Sequence, residues 1–188
     1  EKLLEACAIS VNGSSESVFG EHQISWKAPY PRVSMTEAIQ KYTGFDITGK
    51  SEQELFDFAK SIGIEVDETM GKGKLIDEIF GEKCEGNFIQ PTFITDYPVE
   101  MSPLTKKHRS QEGLTERFEL MVCGKEIANA YSELNDPIDQ RQRFEHQLLL
   151  SEKGDDEAGQ FIDEDFLRAL EYGMPPTSGL GIGMDRLI

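Results

Sequence analysis

The segment RFELMVCGKEIANAYSEL, residues 117–134, has the pattern of a β-hairpin that turns at residues 123–125. Successive residues in a strand point to opposite faces, so this hairpin sorts its side chains into two sets. Asn129, Tyr131 and Glu133 share one face. The opposite face carries alanine at positions 128 and 130, where small side chains allow close packing.

The face of Asn129, Tyr131 and Glu133 predicts a ligand pocket. An amide, an aromatic ring and a carboxylate are an unusual choice for a hydrophobic core. They suit the binding of an amino acid with a positively charged tail. Glu133 can pair with an ammonium group, and the Tyr131 ring can lie against the same cation. Asn129 can hold another polar group of the ligand.

Two further carboxylates, Glu119 and Glu126, belong to the same hairpin. If residues 123–125 form the loop, Glu119 lies across from Asn129 on the pocket face. Glu126 has the wrong parity, and it joins that face only if Gly124 permits a bulge at the turn. Two carboxylates in one pocket would hold a divalent cation, and Mg²⁺ is the natural candidate. The alternative is that both are edge charges on a solvent-facing hairpin.

The glycine-rich end of the chain, SGLGIGMDRLI at residues 178–188, forms a second notable segment. Gly179, Gly181 and Gly183 alternate along a predicted strand, which leaves one face without side chains. A flat ring or a phosphate can approach such a backbone closely, and Arg186 can neutralise phosphate charge. Close packing against a helix explains the glycines equally well. The pattern matches neither a dinucleotide fingerprint nor a P-loop.

The remaining segments predict an α+β chain. A helix is expected to begin at residues 34–37, and others are expected at 51–62 and 72–84; together they form a small helical block at 35–84. Two more helices are expected at 137–150 and 163–172. Ser34 with Glu37, and Ser51 with Glu54, have the spacing of capping boxes. Strands are expected within 22–34 and 88–98, and an acidic loop at 152–157.

The amino-acid composition argues against several classes of protein. The 188 residues include 35 acidic and 19 basic side chains, and the formal net charge is -16. This charge disfavours non-specific binding of nucleic acid. No apolar run is long enough to predict a transmembrane helix. The three cysteines are odd in number and lack metal-ligand spacing, which disfavours both a disulfide framework and structural zinc, and a reducing cytoplasm is expected.

Several motifs in order resemble one protein family. The segment GLGIGMDRL, residues 179–187, is similar to motif 3 of the class II aminoacyl-tRNA synthetases. Within that family, GKEIANAYSELND at 124–136 resembles the segment that precedes motif 3 in the lysine-specific enzymes. IQPTFITDYPVEMSPL at 89–104 and ALEYGMPPTSG at 169–179 show the same similarity.

The resemblance implies a partial class II catalytic fold over residues 1–188, with an antiparallel β-sheet flanked by helices. The block at 35–84 corresponds to the helical insertion of bacterial-type enzymes, 117–134 to the active-site hairpin, and 178–188 to motif 3. It also implies residue roles: Asn129, Tyr131 and Glu133 bind lysine; Glu119 and Glu126 bind Mg²⁺ and ATP; Gly179, Gly181, Gly183 and Arg186 bind ATP; and Glu119, Glu126 and Arg186 are the catalytic candidates.

The activity implied is ATP-dependent formation of lysyl-adenylate, followed by transfer of lysine to tRNA(Lys). The implied partners are L-lysine, ATP, the tRNA and a second copy of the full-length chain, with no membrane. Motifs 1 and 2 and an anticodon-binding domain are not recognised, so we expect a catalytic fragment that is inactive alone. Two alternatives remain open: a truncated paralog that attaches β-lysine to elongation factor P, and a non-catalytic lysine-binding module.

Overall fold

The computed structural model describes residues 1–155, 158–159 and 161–188, and these form an α+β arrangement, as expected. No helix in these ranges is long and apolar enough to cross a bilayer. The strands are β1 (Glu16–Phe19), β2 (His22–Ser25), β3 (Arg32–Ser34), β4 (Thr92–Thr95), β5 (Arg117–Val122), β6 (Lys125–Ser132) and β7 (Ser178–Ile182). The helices are α1 (Lys2–Asn12), α2 (Met35–Thr43), α3 (Glu52–Ser61), α4 (Lys72–Lys83), α5 (Pro137–Lys153), α6 (Glu164–Glu171) and α7 (Met184–Leu187), with 3₁₀ turns at Glu85–Asn87 and Val99–Met101.

The main sheet has the strand order β3-β4-β5-β6-β7, and β1 pairs with β2 separately. Three of its pairings are antiparallel, as predicted, whereas β3 and β4 run parallel at one edge. The parallel pair is possible because the helices α2, α3 and α4 lie between these two strands in the chain and provide the long crossover. The sheet is therefore mixed at this edge.

The two faces of the sheet belong to two hydrophobic clusters because successive side chains alternate. Ile94 and Met121 point to the cluster formed with α2, α3 and α4. Phe93 and Leu120, their chain neighbours, point to the opposite cluster. The predicted helical block is thus confirmed as three helices on one sheet face, and its interpretation as a family insertion stays a prediction.

Local sequence signals fix the start of two of these helices. The Ser34 side chain accepts a hydrogen bond from the backbone of Glu37, and the Glu37 carboxylate accepts one from the backbone of Ser34. Ser51 and Glu54 do the same at α3. Both predicted capping boxes are confirmed.

Several predicted boundaries differ from the structure. The strand expected within 88–98 is limited to β4, because prolines at 91 and 98 cannot donate to a ladder. Helix α5 continues to Lys153, so the predicted loop at 152–157 begins inside a helix, and its residues 156 and 157 lie outside the described residues. Strand β1 was not anticipated.

Candidate functional site

One face of the main sheet brings together most of the predicted site residues. Directly opposed residues of neighbouring strands share a face, so each pairing can be followed across the sheet. Glu119 lies opposite Asn129, as the sequence predicted, and Asn129 lies opposite Gly181. The neighbouring row consists of Arg117, Tyr131 and Gly179.

A β-bulge brings Glu126 to the same face. Leu120 pairs with Ala128 and Met121 pairs with Glu126, so Ile127 is an extra residue in β6. The extra residue reverses the parity of the strand on its turn side. Glu126 consequently lies opposite Met121, on the face that also carries Glu119. The sequence placed the necessary irregularity at Gly124, whereas the structure places it after Glu126; Gly124 instead forms the turn, with φ of +66°.

The Arg117 guanidinium lies at the centre of this face, and sequence reasoning missed it. Its Nε donates to Asn129 Oδ1 at 3.2 Å, and its Nη2 donates to Glu119 Oε1. Its Nη1 donates to the Met101 carbonyl and to Ser102 Oγ, both at 3.0 Å. The available signal was parity, because Arg117 precedes Glu119 by two residues and must share its face.

Glu119 is a buried carboxylate. Burial raises its pKa, while the positive charge of Arg117 and contact with the Tyr97 hydroxyl act in the opposite direction. The negative charge of Glu126 raises it further. Tyr97 is itself buried, and its ring lies 4.5 Å from the Arg117 guanidinium carbon. Two carboxylates that repel each other at a partly desolvated site would be stabilised by a cation between them.

Glu133 follows β6 immediately and lies at the Gly179 end of the face. Its carboxylate is half-buried, and burial raises its pKa. It forms no hydrogen bond or ion pair with any residue in the described ranges. Its charge raises the pKa of Tyr131, after the larger effect of burial, so the two side chains are close. This carboxylate is therefore available to a positively charged ligand.

Gly179 makes room for the Glu133 carboxylate. A Cβ at position 179 would overlap Glu133 Oε1, so any residue other than glycine there would displace the end of this flexible side chain. At Gly181 the nearest atom to a Cβ would be the Asn129 carbonyl oxygen at 3.9 Å, an ordinary contact. Of these two predicted glycines, only Gly179 lies where a Cβ would displace a side chain of the site.

Arg186 lies at the other end of the face, in α7. Its Nη1 donates to the Glu126 carbonyl at 2.9 Å and lies 3.7 Å from Glu126 Oε2. More than half of the side chain is exposed, which leaves most of the guanidinium free for an anion. Gly183 caps the short helix, and the three atoms nearest to a Cβ there would all belong to the Arg186 side chain.

The carboxylates of this face form a pair rather than a closed metal site. Within residues 1–155, 158–159 and 161–188, no three acidic, histidine or cysteine side chains are grouped to enclose a metal ion. Glu119 and Glu126 nevertheless supply the hard oxygen donors that Mg²⁺ prefers, and such an ion commonly takes its other ligands from phosphate and water. The donor set fits a magnesium ion that arrives with a nucleotide.

The whole chain is similar to one protein family and to several curated proteins. The family model for the class II tRNA synthetases (D, K and N) matches residues 1–188. A lysine–tRNA ligase of Christiangramia forsetii is 78% identical over the whole chain, and one of Porphyromonas gingivalis is 69% identical. One of Azobacteroides pseudotrichonymphae is 63% identical. The chain covers 33%, 32% and 37% of these relatives, or about a third of their length.

Proposed function

The chain belongs to the class II tRNA synthetases of the D, K and N group, and from this premise we propose that it forms part of the catalytic domain of an ATP-dependent lysine–tRNA ligase. The names and high identity of the relatives support lysine as the amino acid. The proposed reaction has two steps. Lysine and ATP form lysyl-adenylate with release of pyrophosphate, and the lysyl group is then transferred to the 3′ end of tRNA(Lys) with release of AMP.

The half-buried Glu133 carboxylate is the observation that carries this proposal. It has no partner within the described ranges, it lies beside Tyr131, and Gly179 leaves space for it. A lysine ε-ammonium would provide the missing positive charge, and the Tyr131 ring would contribute a cation–π contact. An uncharged isostere of lysine would leave the carboxylate desolvated and unpaired, which gives the pocket its selectivity.

The nucleotide half of the site consists of Glu119, Glu126 and Arg186. We propose that Arg186 binds the γ-phosphate of ATP, because its guanidinium is exposed and is positioned by the Glu126 carbonyl. Glu119 and Glu126 would hold Mg²⁺, which would neutralise phosphate charge when bound. Positioning and charge neutralisation suffice for this chemistry, since lysine supplies its own carboxylate nucleophile.

The partners of the complete protein follow from the same proposal. They are L-lysine, ATP, tRNA(Lys) and a second copy of the protein, and the reaction is expected in the cytoplasm. The net charge of -16 is unfavourable for contact with RNA. Most of the tRNA surface would therefore be bound by other parts of the protein.

ATP–pyrophosphate exchange with L-lysine and β-lysine tests the proposal, in a full-length protein that contains these residues. Exchange driven by L-lysine, and strongly reduced by Glu133→Gln, is the expected result. A preference for β-lysine would favour the paralog that modifies elongation factor P. Binding of lysine without exchange would favour a non-catalytic module.

A further inference from the structure

The hydrogen bonds of Arg117 join both halves of the candidate site. The guanidinium contacts Asn129 on the proposed lysine side and Glu119 on the proposed nucleotide side. It also donates to the Met101 carbonyl and to Ser102 Oγ, which lie 16 and 15 residues before it in the chain. Only 16% of the side chain is exposed, and the Tyr97 ring covers it.

We propose that Arg117 is a positioning residue that fixes the Asn129 amide and the Glu119 carboxylate in their binding orientations. The proposal rests on the proposed function for the identity of the ligands, because L-lysine and magnesium-bound ATP are what the two oriented groups would bind.

The chemistry of the guanidinium determines the orientation of Asn129. Arginine has donors and no acceptor, so the Asn129 carbonyl oxygen must face it. The amide nitrogen of Asn129 then points away from Arg117 and can donate to a ligand oxygen. Without this contact the amide could turn over, and an acceptor would face the ligand instead of a donor.

The fork of the guanidinium also selects one oxygen of Glu119. Nη2 binds Oε1, which leaves Oε2 available for other contacts. A lysine at position 117 would keep the positive charge beside Glu119. It would lose the fixed fork that contacts Asn129, Glu119 and Ser102 at the same time.

Arg143 provides a matched control. It is more deeply buried than Arg117, with 9% of its side chain exposed, and its Nη1 donates to the Ser102 carbonyl at 2.8 Å. It also pairs with Asp139 at 3.2 Å. It thus anchors the same segment as Arg117 through bonds to Asp139 and Ser102, and in the described part of the chain it forms no hydrogen bond or ion pair with Glu119 or Asn129.

The experiment compares Arg117→Lys, Arg117→Met and Arg143→Met in the full-length protein. The first readout is the Kd for L-lysine by calorimetry without nucleotide. The second is the Mg²⁺ concentration that gives half-maximal ATP–pyrophosphate exchange. We expect Arg117→Lys to raise the lysine Kd about 10-fold, the effect of one charge-assisted hydrogen bond, with a change in Mg²⁺ requirement below about 3-fold. Arg117→Met should raise both values, and Arg143→Met neither, even if it lowers Tm as much.

Two further measurements separate positioning from general stability. In the background of Asn129→Ala, Arg117→Lys should have no further effect on the lysine Kd, because the group through which it acts is gone. In ligand-free crystal structures solved by neutron diffraction, which distinguishes the amide oxygen from the nitrogen, Asn129 should change its orientation in Arg117→Lys and not in Arg143→Met. An unchanged Asn129, or equal effects of all three variants on the lysine Kd, would overturn the proposal. If the wild type failed to bind L-lysine while Asn129 still moved, the proposed function would fail and the positioning role would stand.

Discussion

Replacing Glu133 by glutamine removes a negative charge from the proposed lysine pocket and preserves the shape of the side chain. In the free protein the carboxylate is half-buried, and burial raises its pKa. Removing one partner of a fully buried ion pair costs about 2–5 kcal/mol, and removing one from an exposed pair costs about 0.2–1 kcal/mol. Glu133 is intermediate in exposure. We therefore expect a loss of about 2–3 kcal/mol in lysine binding, or roughly 30- to 150-fold in Kd.

The assay is calorimetric titration of L-lysine into the wild type, Glu133→Gln and Glu152→Gln. Glu152 is exposed near the end of α5 and far along the chain from the hairpin, so it controls for a simple change in net charge. Its substitution should change the lysine Kd less than about 2-fold, as expected for an exposed charge outside the site.

The Glu133→Gln substitution also makes a prediction about the stability of the protein, separate from lysine binding. Because the pKa of Glu133 is raised in the folded state, its ionised form is disfavoured by folding, and stability falls as pH rises through that pKa. At pH 7, glutamine at this position should leave the free energy of unfolding unchanged or slightly increased.

The binding experiment has a clear refuting outcome. Equal losses of lysine affinity in Glu133→Gln and Glu152→Gln, or a loss below about 3-fold for Glu133→Gln, would refute the pocket assignment.

Three further predictions follow from individual contacts. Gly179→Ala should weaken lysine binding about 10-fold, because the added Cβ displaces the Glu133 carboxylate. Gly181→Ala is the control: the nearest atom to its added Cβ lies at 3.9 Å, and it should change the lysine Kd less than about 2-fold in the same titration. Lysine binding should release protons in mildly acidic buffer, because the ligand ammonium lowers the raised pKa of Glu133. The affinity for lysine should therefore fall as pH drops through that pKa. Glu133→Gln should abolish the dependence of the calorimetric binding enthalpy on the buffer. Glu119→Gln should raise the Mg²⁺ concentration for half-maximal exchange at least about 10-fold, the effect of a lost charged ligand. Glu116→Gln removes an ion pair with the exposed Arg109 and should leave this concentration unchanged. An unchanged Mg²⁺ requirement in Glu119→Gln would contradict the proposed metal role.

The sequence alone was sufficient for features that depend on nearest neighbours in the chain. Strand periodicity placed Asn129, Tyr131 and Glu133 together, and the spacing of Ser34 and Glu37 fixed the start of α2. Both results depend on local geometry, which a short sequence window contains. The Glu119–Asn129 pairing was predicted correctly, but from a loop at 123–125 that is wrong: Lys125 pairs with Val122 in β6, and the bulge at Ile127 restores the predicted register.

Tertiary structure decided what depends on contacts between distant segments. The bulge at Ile127 sets the face of Glu126, and it arises from the pairing of two strands rather than from either strand alone. Arg117 looked like an ordinary strand residue until the fold brought Met101, Ser102 and Asn129 around its guanidinium. A charged side chain can be buried only where such partners converge, and their convergence is a property of the packed chain.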